Sequence, residues 1–278
     1  MIFSTAPVVD TSHDDWATYA HDYTRTAMQH QATGITTGNV AALKLRWHVK
    51  VPTGGGYASP LVVAGTLYGT GSYGTVVALS AQNGSTRWTR VLQGNFAGNP
   101  ILATPTLAGG VLYVVEHYRF PSPSYISALR ATDGVVLWRK VMGGPSHASP
   151  VVVNGTVLSS FSQSDDDNGE PVIQGGIRAY RASDEAVLWT WYVDGTRTNN
   201  GGGSWGTCAQ RNRNIYCGTS NTYYAFTPAQ ESIVTLDIST GHYLGRGLSP
   251  QPPTDDDFGG GAMINGNTVF AQSKSGTF

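Results

Sequence analysis

The chain repeats itself at a fixed interval. Ala58-Ser59-Pro60-Leu61-Val62-Val63, Ala103-Thr104-Pro105-Thr106-Leu107 and Ala148-Ser149-Pro150-Val151-Val152-Val153 begin 45 residues apart. A unit of that length cannot bury its apolar face alone, so copies must stack on one another. Within each copy an apolar run meets a turn, at Ala64-Gly65, Ala108-Gly109-Gly110 and Asn154-Gly155. Asn-Gly between apolar runs signals a hairpin because both residues tolerate positive φ. Third strands read Val76-Val77-Ala78-Leu79, Ile126-Ser127-Ala128-Leu129 and Ile177-Arg178-Ala179-Tyr180, and Trp88, Trp138 and Trp189 each follow nine residues later. A fourth copy, Leu236 to Gly241, has Gly245 where the tryptophan would stand. Four short strands per repeat predict an all-β chain, a β-propeller of four-stranded blades, with the tryptophans packed between blades.

A fifth copy opens at Phe258-Gly259-Gly260-Gly261 and turns at Asn265-Gly266-Asn267, while Leu45 to Val49 reads as the last strand of a preceding blade. The expectation is about four complete blades plus partial ones, a piece of an eight-bladed ring, since an open arc leaves two blade faces uncovered. A shorter ring closed by the two end pieces is the alternative. Residues 1–40 carry no strand pattern and read as an extended lead-in lying over the ring, with residues 41–278 the partial propeller.

Composition excludes some functions. The net charge is −1 with the basic residues scattered singly, which gives no electrostatic reason to expect nucleic acid or anionic membrane. No apolar run reaches the roughly 18 residues of a membrane helix, and the first residues show no secretory signal pattern. The seven His lack metal-binding spacing, and no Gly-x-Ser-x-Gly or phosphate loop is present. Asn83-Gly84-Ser85 and Asn154-Gly155-Thr156 match glycosylation sequons but are better explained as turns. Cys208 and Cys217 lie symmetrically about Asn212-Arg213 and face each other across a predicted hairpin. They form either a cross-strand disulfide, which implies an oxidising compartment, or two buried thiols.

The repeat Ala-Ser-Pro-Val-Val-Val-Asn-Gly with its later Trp resembles that of pyrroloquinoline quinone (PQQ) enzymes. The lead-in Trp16, Tyr19-Ala20-His21-Asp22 and Arg25, followed by Asn39-Val40, Leu43 and Trp47, resembles the polyvinyl-alcohol dehydrogenase-like branch. The resemblance implies roles for the residues that interrupt the repeat. Gly201-Gly202-Gly203-Ser204-Trp205 matches a motif whose indole lies against the quinone, and Gly202 and Gly203 would let the backbone approach it. Asn221 ends a Gly-Thr-Ser-Asn that matches a calcium ligand, a neutral oxygen donor suited to a hard cation. Asp255, with Asp257 as alternate, falls where the family carries its general base, and Lys274 where it places a cation beside the quinone oxygens. Asp165 or Asp166 would stand in for a calcium-ligating Glu. The run Asp165-Asp166-Asp167 also reads as a calcium site of its own or a polar loop. The chain departs from the family in lacking an adjacent Cys-Cys pair, and it has no Cys-x-x-Cys-His for c-type haem.

The resemblance thus implies PQQ and calcium as cofactors, a small alcohol or polyol as substrate, an external electron acceptor such as a cytochrome c, and a periplasmic or extracellular location. The competing reading is a non-catalytic propeller, a scaffold or extracellular binding module, because the repeats alone identify only the fold.

Overall fold

A computed structural model describes residues 15–29, 34–51, 58–92, 101–117, 123–165, 171–195, 201–222, 227–248 and 255–276, with only the backbone at 164, 165 and 171–173. The repeat becomes four antiparallel four-stranded sheets. The first holds β1 (Leu61–Val63), β2 (Thr66–Thr70), β3 (Thr75–Ser80) and β4 (Thr86–Val91), and the second β5 (Thr106–Ala108), β6 (Val111–Glu116), β7 (Tyr125–Arg130) and β8 (Val136–Val141). The third is interrupted by a small hairpin. It runs β9 (Val151–Val153) and β10 (Thr156–Phe161), then the hairpin β11 (Ser164–Asp165) and β12 (Pro171–Ile173), then β13 (Gly176–Arg181) and β14 (Val187–Tyr192). The fourth holds β15 (Ala209–Arg211), β16 (Asn214–Gly218), β17 (Ser232–Asp237) and β18 (Tyr243–Leu248), and a fifth sheet has only β19 (Met263–Asn265) and β20 (Thr268–Phe270) among the described residues.

Register repeats along with sequence. The pairing of third with fourth strand slips by one residue at Ala78/Leu79, Ala128/Leu129, Ala179/Tyr180 and Thr235/Leu236. Such a bulge adds local twist. Third strands such as β3 are buried on both faces, which their continuous apolar runs require, whereas fourth strands such as β4 are largely exposed. First strands are innermost, with β5 beside β9 and β15 beside β19.

The repeat tryptophans join one blade to the next. The indole N–H of Trp88 donates to Ala131 O at 2.8 Å, that of Trp138 to Ala182 O at 2.8 Å, and that of Trp189 to Ile238 O at 3.1 Å. Trp47 docks likewise on Ala81 O at 3.1 Å, as the last strand of a preceding blade would. Each acceptor begins the turn between third and fourth strands of the next sheet. At Gly134, φ is +69° and a Cβ would sit 2.6 Å from the Trp88 ring, so that turn needs glycine twice over. The Ala-Ser/Thr-Pro starts connect neighbours as well: Ser59 N–H donates to Thr104 Oγ1 and Ser149 N–H to Thr207 Oγ1, each at 3.0 Å.

The lead-in lies among the inner strands. Trp16 bridges Val62 of β1, Ala17 O accepts from Leu107 N–H of β5, and the Tyr23 hydroxyl donates to Val152 O of β9. Tyr23 O then accepts from Gln210 N–H of β15, and Thr24 O from Ile264 N–H of β19. One short segment therefore touches the inner strand of all five sheets. Arg25 anchors it, 4% exposed, donating to Cys208 O, Thr18 Oγ1 and Tyr19 O. Burial pulls the guanidinium down to about 10, which still leaves it charged at neutral pH.

Cys208 and Cys217 form a disulfide with their Cα atoms 4.5 Å apart, the spacing of a directly opposed, non-hydrogen-bonded pair. Asn83 and Asn154 are turn residues: Asn83 Oδ1 accepts from Ser85 N–H, and Asn154 has φ 49°. No helix among the described residues is long and apolar enough to cross a membrane.

Candidate functional site

The glycines before Trp205 serve the backbone. Gly202 has φ +77°, and its carbonyl accepts from Gly175 N–H at 3.0 Å. Gly203 O accepts from Ser220 N–H at 2.9 Å, and a Cβ on Gly203 would come within 2.8 Å of Ser162 Cα. The two residues thus press this loop between the third sheet and the Ser220 loop, and neither lines the cleft that Trp205 faces. Trp205 rests on Gly259, where a Cβ would meet the indole at 2.8 Å.

The indole borders two lobes of one cleft near the inner strands. The larger, about 710 Å³ and partly open to solvent, is walled by Tyr19 of the lead-in, His147, Trp205 and the backbone of Gly259 to Gly261, among others. The smaller, about 320 Å³, is lined by His117, Pro145, Ser146, His147, Ser162 and Trp205. Among the described residues, no carboxylate lines either lobe.

A second group of predicted residues comes together beside this cleft. Lys274 Nζ donates to Asp255 Oδ1 at 2.7 Å and lies 2.8 Å from Asp257 Oδ2. Asn221 enters through its backbone, its N–H donating to Asp257 Oδ1 at 2.9 Å, and Lys274 N–H bonds Asp257 O at 3.0 Å. Hydrogen bonds to Asp255 and then Asp257 hold the Lys274 ammonium well above the usual lysine range. Asp255 is exposed and Asp257 is buried. Beneath them, Asp256 N–H donates to the buried Glu231 Oε1 at 2.7 Å, and Asp256 Oδ1 accepts from Ser275 N–H at 2.8 Å. This pair of acids ties the 255–257 loop to the turn that carries Lys274.

Asn221, Asp255, Asp257 and Lys274 are therefore neighbours, while Trp205 stands apart from them. The link is short, since Asp257 precedes Gly259 by two residues and Gly259 supports the indole. Of the other expected metal ligands, Asp165 is described by backbone only, in β11, and Asp166 lies outside the described residues. Among the described residues no set of three or more His, Cys, Asp or Glu could hold a metal ion. With the Lys274 ammonium bonded to both acids, Asp255 and Asp257 do not fit calcium between them.

Two residues that the repeat analysis passed over stand on the cleft wall. His147 lines both lobes, its ring edge-to-face with Trp205 at 6.3 Å, and His117 contacts it at 4.5 Å between ring centroids. A signal existed. Aligned on sheet register, His117 stands where the other three blades have Ser72, Ser162 and Ser220, and His147 where the preceding repeat has Leu102.

The model of the family described as outer membrane protein assembly factor BamB matches residues 36–200 and 122–278. BamB of Yersinia pestis is 32% identical over 155 residues, 53% of this chain and 36% of that protein. The dehydrogenase subunit of the quinone alcohol dehydrogenase of Gluconobacter oxydans (strain 621H) is 29% identical over 127 residues, 45% of this chain and 16% of that protein. The match thus spans little more than a third of the curated relatives' length at most. Among solved structures, the quinohemoprotein alcohol dehydrogenase from Comamonas testosteroni superposes with a TM-score of 0.73 at 20% identity, covering 94% of this chain and 45% of that one. A europium-containing methanol dehydrogenase gives 0.68 at 22% identity, covering 83% and 48%. At such identities these likenesses speak for a shared propeller fold.

Proposed function

This chain belongs to the PQQ-repeat family described as outer membrane protein assembly factor BamB, and we propose that it carries the quinone-binding part of an alcohol-oxidising propeller. The observation that carries this reading is the indole of Trp205. It is seated on Gly259, which follows Asp257 by two residues, and among the described residues the cleft it faces has no carboxylate on its wall. A flat, rigid aromatic face suits a planar ring system, and a wall whose described side chains carry no carboxylate suits one that is itself acidic, as PQQ is. When bound, a quinone of this class accepts the two electrons released as an alcohol becomes an aldehyde or ketone.

The chain's own residues supply position and proton transfer. Trp205 holds the ring plane. Asp255, the exposed carboxylate, is the group a substrate hydroxyl can reach, and it takes the hydroxyl proton as general base. Asp257 is fixed by Asn221 N–H and Lys274, and it holds the ammonium that in turn orients Asp255. No step is assigned to calcium. Electrons leave to an external acceptor of the cytochrome c type, the substrate is a small alcohol or polyol, and the disulfide supports a periplasmic or extracellular setting.

The test is equilibrium titration of the full chain with PQQ, with and without added calcium, followed by alcohol-dependent dye reduction. Micromolar PQQ should quench tryptophan fluorescence, and no binding at that concentration would sink the proposal. A second reading, a scaffold without catalysis, draws on the double ion pair of Lys274, which occupies both candidate bases. It predicts no PQQ binding, with Asp255 and Asp257 serving only to hold Lys274.

A further inference from the structure

The cleft at Trp205 has a charge character that blade packing does not require. Among the described side chains lining its two lobes, only those of His117 and His147 can become cationic, and no carboxylate is present. The nearest acid in sequence, Glu116, is 1% exposed and is turned into the second sheet. There it accepts two bonds from Arg139, at 3.0 and 2.8 Å, and one from Ser127 at 2.6 Å. Its charge is matched within the blade and is not presented to the cleft.

We infer that His117 and His147 form a carboxylate-recognising wall, which selects for the Trp205 cleft a planar ligand bearing acid groups. This rests on the quinone reading above and names the chemistry that reading needs. The His147 ring stands at 85° to the indole, 6.3 Å away. A ring lying parallel to the indole meets His147 at its rim, where the carboxylates of an aromatic acid project. An imidazole donates at least one N–H whether neutral or protonated, and a bond from it to a carboxylate is charge-assisted. His117, in ring contact with His147 at 4.5 Å, extends the donor wall into the smaller lobe, beside the hydroxyls of Ser146 and Ser162.

Both histidines are departures from the repeat, so the fold supplies its own controls. His117→Ser restores the residue that the other three blades carry, and His147→Leu restores that of the preceding repeat. Both variants should therefore fold. Binding to the full chain is measured by tryptophan quenching and calorimetry with two probes, PQQ and an acid-free planar quinone, phenanthrenequinone. Each substitution should weaken PQQ binding by about tenfold, the usual loss for one hydrogen bond to a charged group. Binding of phenanthrenequinone should change less than twofold. If wild type binds PQQ and both variants bind it equally well, the histidine inference is overturned and the quinone reading stands. Equal weakening toward both probes also overturns it, since the rings would then act by packing. If wild type binds neither probe, both readings fall together.

Discussion

Two kinds of tryptophan share this molecule. Trp88, Trp138 and Trp189 sit on fourth strands, each giving its indole N–H to a carbonyl of the next blade. Trp205 sits on no strand, rests on Gly259 across a blade boundary and turns toward the cleft. The first kind recurs because every blade has the same neighbour to meet. The second occurs once: Trp205 is the one tryptophan among the described residues lining this cleft. The three repeat tryptophans therefore report on assembly, and Trp205, set outside the repeat, reports on the site.

The sharpest way to break that contrast is to delete one of each. Trp138 is 9% exposed, and Trp138→Ala leaves a large cavity and strands the Ala182 carbonyl, costing about 3–5 kcal/mol. Its thermal midpoint should fall steeply. Trp205→Ala should move the midpoint far less while abolishing PQQ quenching. Equal losses of stability in the two variants would erase the distinction.

The difference also explains what could be read in advance. The four-stranded sheets and their strand order were legible because the interval of 45 residues, the turn glycines and the Trp spacing all report the same local geometry several times. The Cys208–Cys217 pairing was open to geometry alone, because opposed residues in a hairpin must face each other. The lead-in was not legible as it lies. It meets the inner strands mostly through backbone groups, which any sequence can offer, and it has no second copy to compare. The grouping of Lys274 with Asp255 and Asp257 was visible only as separate resemblances, since 17 residues separate Lys274 from Asp257 and a turn must bring them together. His117 and His147 went unnoticed because neither has metal spacing. Their signal was substitution within an otherwise regular repeat.

A smaller effect probes the boundary between the two regions. The disulfide ties the strand that follows Trp205 to the strand that precedes Asn221. Replacing both cysteines by serine should cost about 2–3 kcal/mol, as expected for so short a closed loop. If the hairpin positions the site, PQQ affinity should fall as well. An unchanged affinity with a lowered midpoint would assign the disulfide to the fold alone.

Smaller again is the glycine beneath Trp88. Gly134→Ala places a methyl group 2.6 Å from the ring at a φ that disfavours side chains, and the expected cost is about 1–2 kcal/mol. Gly110→Ala serves as the control, having positive φ but no atom within 4 Å. It should cost about 1 kcal/mol, from backbone strain alone. The excess in Gly134→Ala measures the contact, and no excess would show that the indole gives way freely.

The least effect is expected at Asp22, and its sign can be worked out. Burial alone would raise this carboxyl, but Thr26 and Thr24 donate to it, at 2.5 and 2.8 Å from their hydroxyls, and hold it below its ordinary 3.8. The folded value is thus depressed. Its stabilising contribution is complete above about pH 4, where the unfolded chain is also ionised, and is lost as pH falls through the folded value. Asp22→Asn should lower the unfolding free energy slightly at pH 7, by about 1 kcal/mol or less. The gap between variant and wild type should close as the pH drops below about 4. The lead-in turn would then owe part of its hold on the inner strands to one ionised side chain. A gap that stays constant from pH 7 to pH 3 would mean that the Thr contacts hold the turn without the charge.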